Sequence, residues 1–215
     1  MIGVIGGSGL EKFSHEFRKS NIVFIPRHGR FHCPPHKINH KANLLKLLNS
    51  NVKEIIGVSM VGSLRKNLKP GYFAITSQFI DFTKTRYTFF EDETIHTPMT
   101  DPYDERISEK LYNICREMEL PVVKGVTYVC VEGPRYETRA EIKMFSMLGG
   151  DVVGMTNAPE VILANELGIP YANLCLVTNM GAGLSDVQPS HEEVCKMAEI
   201  KLEQIKEVLL RYAKK

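Results

Sequence analysis

Six short apolar runs punctuate this chain, and a stretch of helical periodicity or a glycine turn separates each from the next. The runs cover residues 1–6, 22–26, 54–61, 72–77, 122–131 and 171–178. They are rich in Val and Ile and near-continuously apolar, the pattern of strands buried on both faces. Helical periods fill residues 36–49, 104–119, 139–148, 159–167 and 191–213. Thr138 is placed to cap the third helix, which runs to Gly149-Gly150. Pro159 sits in the first turn of the fourth, which Gly168 ends. Ser190 and Glu193 form a capping-box pattern at the start of the last. This alternation predicts an α/β fold: a single domain spanning residues 1–215, with a twisted mixed sheet flanked by helices. Residues 80–100 show no period and carry Phe82, Tyr87, Phe89 and Phe90. Such a stretch in a small domain is expected to serve a site or an interface.

Composition excludes several classes. With 27 basic and 25 acidic side chains the formal charge is +2, too even for a nucleic-acid or membrane surface. No apolar run is long enough for a transmembrane helix. The residues from Met1 to Gly7 lack the basic region and cleavage site of a signal peptide. The five cysteines (Cys33, Cys115, Cys130, Cys175 and Cys195) are scattered and form no C-x-x-C pair. They read as free thiols of a reducing, cytoplasmic compartment, and no metal site is expected. His36 and His40 stand four apart, but no carboxylate joins them at zinc-site spacing.

Two clusters carry chemistry. The first strand runs into Gly6-Gly-Ser-Gly9, whose backbone N–H groups and Ser8 hydroxyl suit an oxyanion. The second strand ends at Arg27-His-Gly-Arg-Phe-His32, a concentration of donors matched to phosphate. A dinucleotide fingerprint fits less well. The glycine spacing differs, and the second strand ends in Arg27 and His28 where an acidic ribose ligand belongs. Ser59, at the end of another apolar strand, and Thr178 are expected to share a crevice with Ser8. The second cluster is Glu132-Gly-Pro-Arg-Tyr-Glu-Thr138 with Gly154-Met-Thr156 and Val177-Thr-Asn179. Glu137 accepts hydrogen bonds and Asn179 both donates and accepts, which suits the edge of a heterocycle.

Taken in order, Ile5-Gly-Gly-Ser-Gly-Leu10, Arg27-His-Gly-Arg30, Gly62-Ser-Leu-Arg65, Gln78-Phe-Ile-Asp81, Glu132-Gly-Pro-Arg135, Gly154-Met-Thr156, Ala158-Pro-Glu-Val161 and Val177-Thr-Asn179 resemble the trimeric purine nucleoside phosphorylases. The resemblance spans nearly the whole chain and extends to the methylthioadenosine phosphorylases of the same family. It implies reversible phosphorolysis in purine salvage, with inorganic phosphate as co-substrate, no cofactor and no metal, in a cytoplasmic homotrimer or hexamer. It implies phosphate contacts from Ser8, Arg27, His28, Ser59, Met60 and Thr156. It places Met155 under the ribose and Tyr136 against the base, with Met180 and Gly181 beside them.

Asn179 would donate to the purine N7 as the base departs. Glu137 would accept N1–H of a 6-oxopurine, where the adenosine-type branch resembles Phe-Ser-Ser and carries Asp at position 179. His191 resembles the histidine that meets the sugar 5′-hydroxyl. His96 resembles one reaching a neighbouring subunit's 5′ pocket in the methylthioadenosine branch, so 5′-methylthioinosine or methylthioadenosine on the same site is the alternative substrate. The segment from Leu10 to Ile22 is short for the family, which marks a changed sheet edge. A nucleosidase on the same scaffold and a non-catalytic purine-binding protein remain as readings from the residues alone.

Overall fold

Residues 1–17, 20–186 and 188–214 are described by a computed structural model. The strands are β1 (Ile2–Gly6), β2 (Ile22–Pro26), β3 (Glu54–Ser63), β4 (Phe73–Asp81), β5 (Val122–Cys130), β6 (Val152–Gly154) and β7 (Tyr171–Met180). The helices are α1 (Phe13–Glu16), α2 (His40–Asn49), α3 (Glu105–Glu117), α4 (Arg139–Met147), α5 (Asn157–Glu166) and α6 (His191–Lys214).

The strands form one mixed sheet in the order β2-β1-β3-β6-β5-β4-β7, and β7 also pairs with β3. Strands β3, β6, β5, β4 and β7 therefore close on themselves as a barrel. From β3 the parallel pair β1 and β2 extends as a wing. Strands β3 and β7 lie parallel at the junction, while β4 runs antiparallel to β7 and β6 antiparallel to β3. Nearly every residue of β3 and β7 is buried, as their unbroken apolar pattern requires.

Successive residues of β1 separate two layers. Val4 packs with Ile107, Leu111 and Ile114 of α3 and with Leu202, Ile205 and Val208 of α6. Ile5 packs with Leu44 and Leu47 of α2 and with Val161 and Leu163 of α5. This period of two places a helical layer on each face of the wing.

Local chemistry sets the element ends. Helix α2 begins at His40 rather than residue 36, because Pro34 and Pro35 hold a 3₁₀ turn over Pro35–Lys37 and Asn39 then accepts from the Ala42 N–H. Thr138 caps α4 as expected and shares a full capping box with Glu141. The short segment after Leu10 is a single helical turn whose Phe13 and Phe17 rings pack at 5.9 Å from Phe24 on the edge strand β2. Arg18 and Lys19, within that segment, lie outside the described residues. Strand β6 has only three residues, too few for any period, yet it is wedged between β3 and β5.

Residues 82–104 are irregular. Tyr87 and Phe89 pack onto the core between α2 and α5, and Phe82 lies 5.1 Å from Phe145. Much of the aromatic content of this stretch is thus used within the chain.

Candidate active site

A cavity of about 370 Å³ opens where the parallel strands β1, β3 and β7 end. Loops after β2 and β5 and the start of α5 complete its wall. This is the usual place for a ligand in such a sheet.

One end is built around the turn after β1. The Gly7 N–H donates to the Val58 carbonyl at 3.0 Å, and the Arg27 N–H donates to the Gly6 carbonyl at 2.9 Å. A Cβ at Gly7 would stand 2.8 Å from Nη1 of Arg27 and 3.0 Å from the Val58 oxygen, so only glycine passes between them. Ser8 then faces the cavity. Thr156 lines the same end at the start of α5, buried, with no side-chain cap bond to its own helix. The Thr156 hydroxyl, not used to cap its own helix, gives that end a polar group for an anion. A Cβ at Gly154 would fall 2.0 Å from the buried Tyr128 hydroxyl, so glycine is required just before Met155 and Thr156.

Arg27 is more tightly held than its sequence context suggests. Its Nε and Nη2 donate to Glu160 at 2.5 and 2.9 Å, Nη1 to the Val58 carbonyl at 2.7 Å, and Nη2 to the Ile5 carbonyl at 3.3 Å. Four of its five N–H groups are occupied, leaving one on Nη1 to turn to the cavity. Burial opposes both charges, but each partner outweighs that cost for the other. The Glu160 carboxyl is held down at about 2 and the Arg27 guanidinium stays above its ordinary range. Tyr171 donates to Glu160 at 2.9 Å and His40 stands 3.7 Å away. The pair is therefore neutral overall and buried on every side.

His28 is also fixed. Its Nδ1 meets the Cys33 carbonyl at 2.8 Å, and a carbonyl only accepts, so Nδ1 carries the proton. Burial foremost, with the nearby Arg27 charge, pulls this imidazole down to about 4, against a bond to Cys33 that favours the charged form. Its ring stacks on His32 at 4.7 Å and 13°.

The other end takes its key side chains from a β-bulge and a capped loop. Val61 of β3 lies opposite Val177 of β7, but Gly62 lies opposite Asn179. Thr178 is the extra residue, and the bulge turns both Thr178 and Asn179 to the cavity, which strict alternation forbids. Thr178 donates to Oδ1 of Asn179 at 2.9 Å, and Nδ2 of Asn179 donates to the Met180 carbonyl at 3.1 Å. That orientation leaves one amide N–H for a ligand. Glu137 precedes the Thr138 cap of α4. The capping box and the two-pronged pairing of Arg135 with Glu141, at 2.7 and 2.9 Å, hold this loop. Half-burial raises the Glu137 carboxyl above its ordinary value, against its own backbone N–H.

The phosphorylase superfamily profile matches residues 5–214. The chain belongs to the phosphorylase superfamily. It is 40% identical over 239 aligned residues to the 6-oxopurine nucleoside phosphorylase of Pyrococcus furiosus, covering 97% of this chain and 90% of that one. It is 39% identical over 226 residues to the probable S-methyl-5′-thioinosine phosphorylase of Methanothermobacter thermautotrophicus, covering 94% of this chain and 79% of the other. The structure of methylthioadenosine phosphorylase from Schistosoma mansoni in complex with adenine superposes with a TM-score of 0.91 at 27% identity, over 99% of this chain and 90% of that one.

Within this phosphorylase, Ser8, Arg27, His28, Met60, Tyr136, Glu137, Met155, Thr156, Asn179 and His191 line the one cavity. Four expected residues do not. The Ser59 hydroxyl is buried and donates to Oδ1 of Asn173 at 2.9 Å, because strand alternation turns it into the core. The shared crevice is thus formed by Ser8 and Thr178 without Ser59. Met180 offers its carbonyl to Asn179, and Gly181 donates its N–H to the Ser63 carbonyl at 2.8 Å, behind the wall. His96 is exposed in the irregular 82–104 stretch, outside the lining.

Conversely, the apolar wall of Cys33, Pro34, Pro35 and Val194 and the ion-pair role of Glu160 were not read from sequence, where His32 counted only as one donor of the 27–32 cluster. Glu160 had a signal, as an acid set among apolar residues in the first turn of α5. Among the described residues no group of three or more His, Cys, Asp or Glu is placed to hold a metal. No helix among them is long and apolar enough to cross a membrane. His36 and His40 do not share a helical face. His36 lies in the 3₁₀ turn, while His40 is buried edge-on to Tyr87 at 5.4 Å.

Proposed function

We propose that this chain catalyses phosphate-dependent cleavage of the N-glycosidic bond of 6-oxopurine nucleosides such as inosine and guanosine. The products are the free base and ribose 1-phosphate, and the setting is purine salvage. The observation that carries this reading is one cavity with an anion cradle at one end (Ser8, Arg27 and Thr156) and the Glu137–Asn179 pair at the other. Relatives at about 40% identity named as 6-oxopurine nucleoside phosphorylases support it.

In the proposed reaction, inorganic phosphate is the co-substrate and no resident cofactor takes part. Phosphate held beside C1′ turns a bimolecular displacement into a positioned one. As the sugar gains oxocarbenium character, the phosphate anion offsets its charge. As the base departs with negative charge on its ring, the free N–H of Asn179 stabilises N7. Ionised Glu137 accepts N1–H of a 6-oxopurine and, in guanine, the 2-amino group as well. Adenine presents a bare N1 to the same carboxylate, leaving two buried acceptors facing each other. Met155 floors the ribose, Tyr136 lies against the base, and His191 stands toward the 5′ end.

A second reading, 5′-methylthioinosine as substrate, draws on a specific feature. Cys33, Pro34, Pro35 and Val194 add an apolar wall beside His191, suited to a thioether. A cytoplasmic homotrimer or hexamer is proposed on family grounds. Exposed Phe82 (38%) and Ile95 (47%) in the irregular stretch are consistent with a further surface there. The test is chromatography of products from inosine with and without phosphate. Ribose 1-phosphate formed only with phosphate supports the proposal. Free ribose formed without phosphate contradicts it in favour of a nucleosidase, and binding of hypoxanthine without any turnover would favour a purine-binding protein.

A further inference from the structure

His32 is not among the residues given a role above, yet its geometry is demanding. It adopts a left-handed backbone (φ 50°), uncommon outside glycine and sustained only where the surroundings impose it. Its Nδ1 meets Oε1 of Glu11 at 2.7 Å, its Nε2 points to Oγ of Ser8 at 3.5 Å, and its ring covers the face of His28. It lines the cavity while remaining exposed on its outer side. Three contacts, two from the turn after β1 and one from its own loop, therefore hold one surface side chain against the anion cradle.

We propose that Glu11 and His32 form a positioning relay that aims the Ser8 hydroxyl at the phosphate. The inference rests on the phosphorolysis reading and deepens it. Because the Glu11 carboxylate only accepts, Nδ1 of His32 carries a proton in either state of the ring. A neutral ring then accepts the Ser8 O–H at Nε2 and turns the serine lone pairs toward the anion. A doubly protonated ring donates Nε2–H to Ser8 Oγ and frees the serine hydrogen for the anion. An anion in the cradle is therefore met by the serine hydrogen when Nε2 donates to Oγ. The titratable groups against it are Glu11 from the turn after β1, His28 from its own loop and His191 from α6, whose ring centroid lies 5.5 Å away. Cys195 stands behind His191 at 3.4 Å.

The test is steady-state kinetics with phosphate and inosine varied separately, for wild type, His32→Ala, His32→Gln, Glu11→Gln, Ser8→Ala and the His32→Ala/Ser8→Ala double variant. A charge-assisted bond predicts that His32→Ala raises KM for phosphate by roughly tenfold, with KM for inosine and kcat at saturating phosphate within about twofold of wild type. Glu11→Gln moves KM for phosphate in the same direction by less, and His32→Gln, which keeps one amide donor, recovers part of the loss. The double variant costs no more than the larger single one, since both break the same relay.

Equal changes in KM for inosine and phosphate, or additive effects in the double variant, would each overturn the relay. Wild-type cleavage that ignores phosphate overturns the phosphorolysis reading and the relay with it. Phosphate-dependent wild-type cleavage with unresponsive His32 variants overturns the relay alone.

Discussion

The two ends of the cavity are made from different material. The anion end is assembled from strand ends and the start of a helix, and its arginine is sealed into the core by Glu160, Tyr171 and two backbone carbonyls. The base end hangs on a bulge in β7 and on the loop between β5 and α4, where Glu137 and Tyr136 are only half-buried. The first end is thereby coupled to the stability of the whole sheet, and the second is free to vary. An enzyme built this way keeps one reaction fixed while its choice of base changes by substitution in a loop. Relatives of similar identity with different named substrates fit that division.

The largest effect is expected where the anion end meets the core. Glu160→Ala leaves Arg27 as an uncompensated buried charge and should cost about 3–5 kcal/mol, read from urea unfolding. Replacing the pair together, Arg27→Met with Glu160→Leu, should restore most of that stability but not activity. The converse single change, Arg27→Ala, strands Glu160 in the same way, so its loss of turnover would mix folding with binding. A wild-type unfolding curve for Glu160→Ala would break the contrast between the two ends.

At the base end the prediction is inverted: large changes in rate with little in stability. Asn179→Ala removes the donor to the leaving base and should lower kcat by roughly 10²- to 10³-fold with a nearly unchanged melting temperature. Glu137→Gln exchanges an acceptor for a group that donates as well, and should shift the inosine-to-adenosine ratio of kcat/KM by about 10- to 100-fold toward adenosine. Retained selectivity in Glu137→Gln would remove this carboxylate from base recognition.

Two pH effects are smaller and separate the ends again. Burial raises the Glu137 carboxyl, so its ionised acceptor form is lost on acidification at a higher pH than for an ordinary carboxylate. Inosine cleavage should therefore fall first as pH drops, and the preference over adenosine should narrow with it, because a protonated carboxyl donates to the adenine N1. His28 acts on stability instead. Its folded imidazole stays neutral down to about 4, whereas the unfolded side chain protonates near 6.5. The unfolded state binds more protons between those values, so stability falls as pH drops from about 6.5 toward 4 and is level below. Melting temperatures for wild type and His28→Asn across that range test it; the variant should show the flatter curve.

Much of this was legible in the chain, for physical reasons that differ by element. The long strands announce themselves because both faces are buried, and α3 and α4 because Asp104 and Thr138 cap apolar periods. β6 and α1 escape because three or four residues carry no period. The start of α2 shifts because two prolines override its helical spacing. In the site, residues in glycine turns and loops were readable since those positions have few other uses. Ser59 was misplaced because a strand-end serine looks the same whether alternation turns it outward or, as here, toward Asn173. Asn179 faces the cavity only through the bulge at Thr178, which no local pattern reveals. The use of Arg27 as one half of an ion pair depends on a carboxylate 133 residues away.

The central claim is that a phosphate cradle and a 6-oxopurine clamp share one cavity. The most direct measurement is kcat/KM of the wild-type protein, with saturating phosphate, for inosine, adenosine and their 5′-methylthio counterparts. The account predicts that both 6-oxo substrates exceed their 6-amino partners by at least roughly tenfold, the equivalent of about 1.4 kcal/mol at N1. Cleavage of adenosine or methylthioadenosine with none of the 6-oxo compounds would contradict it.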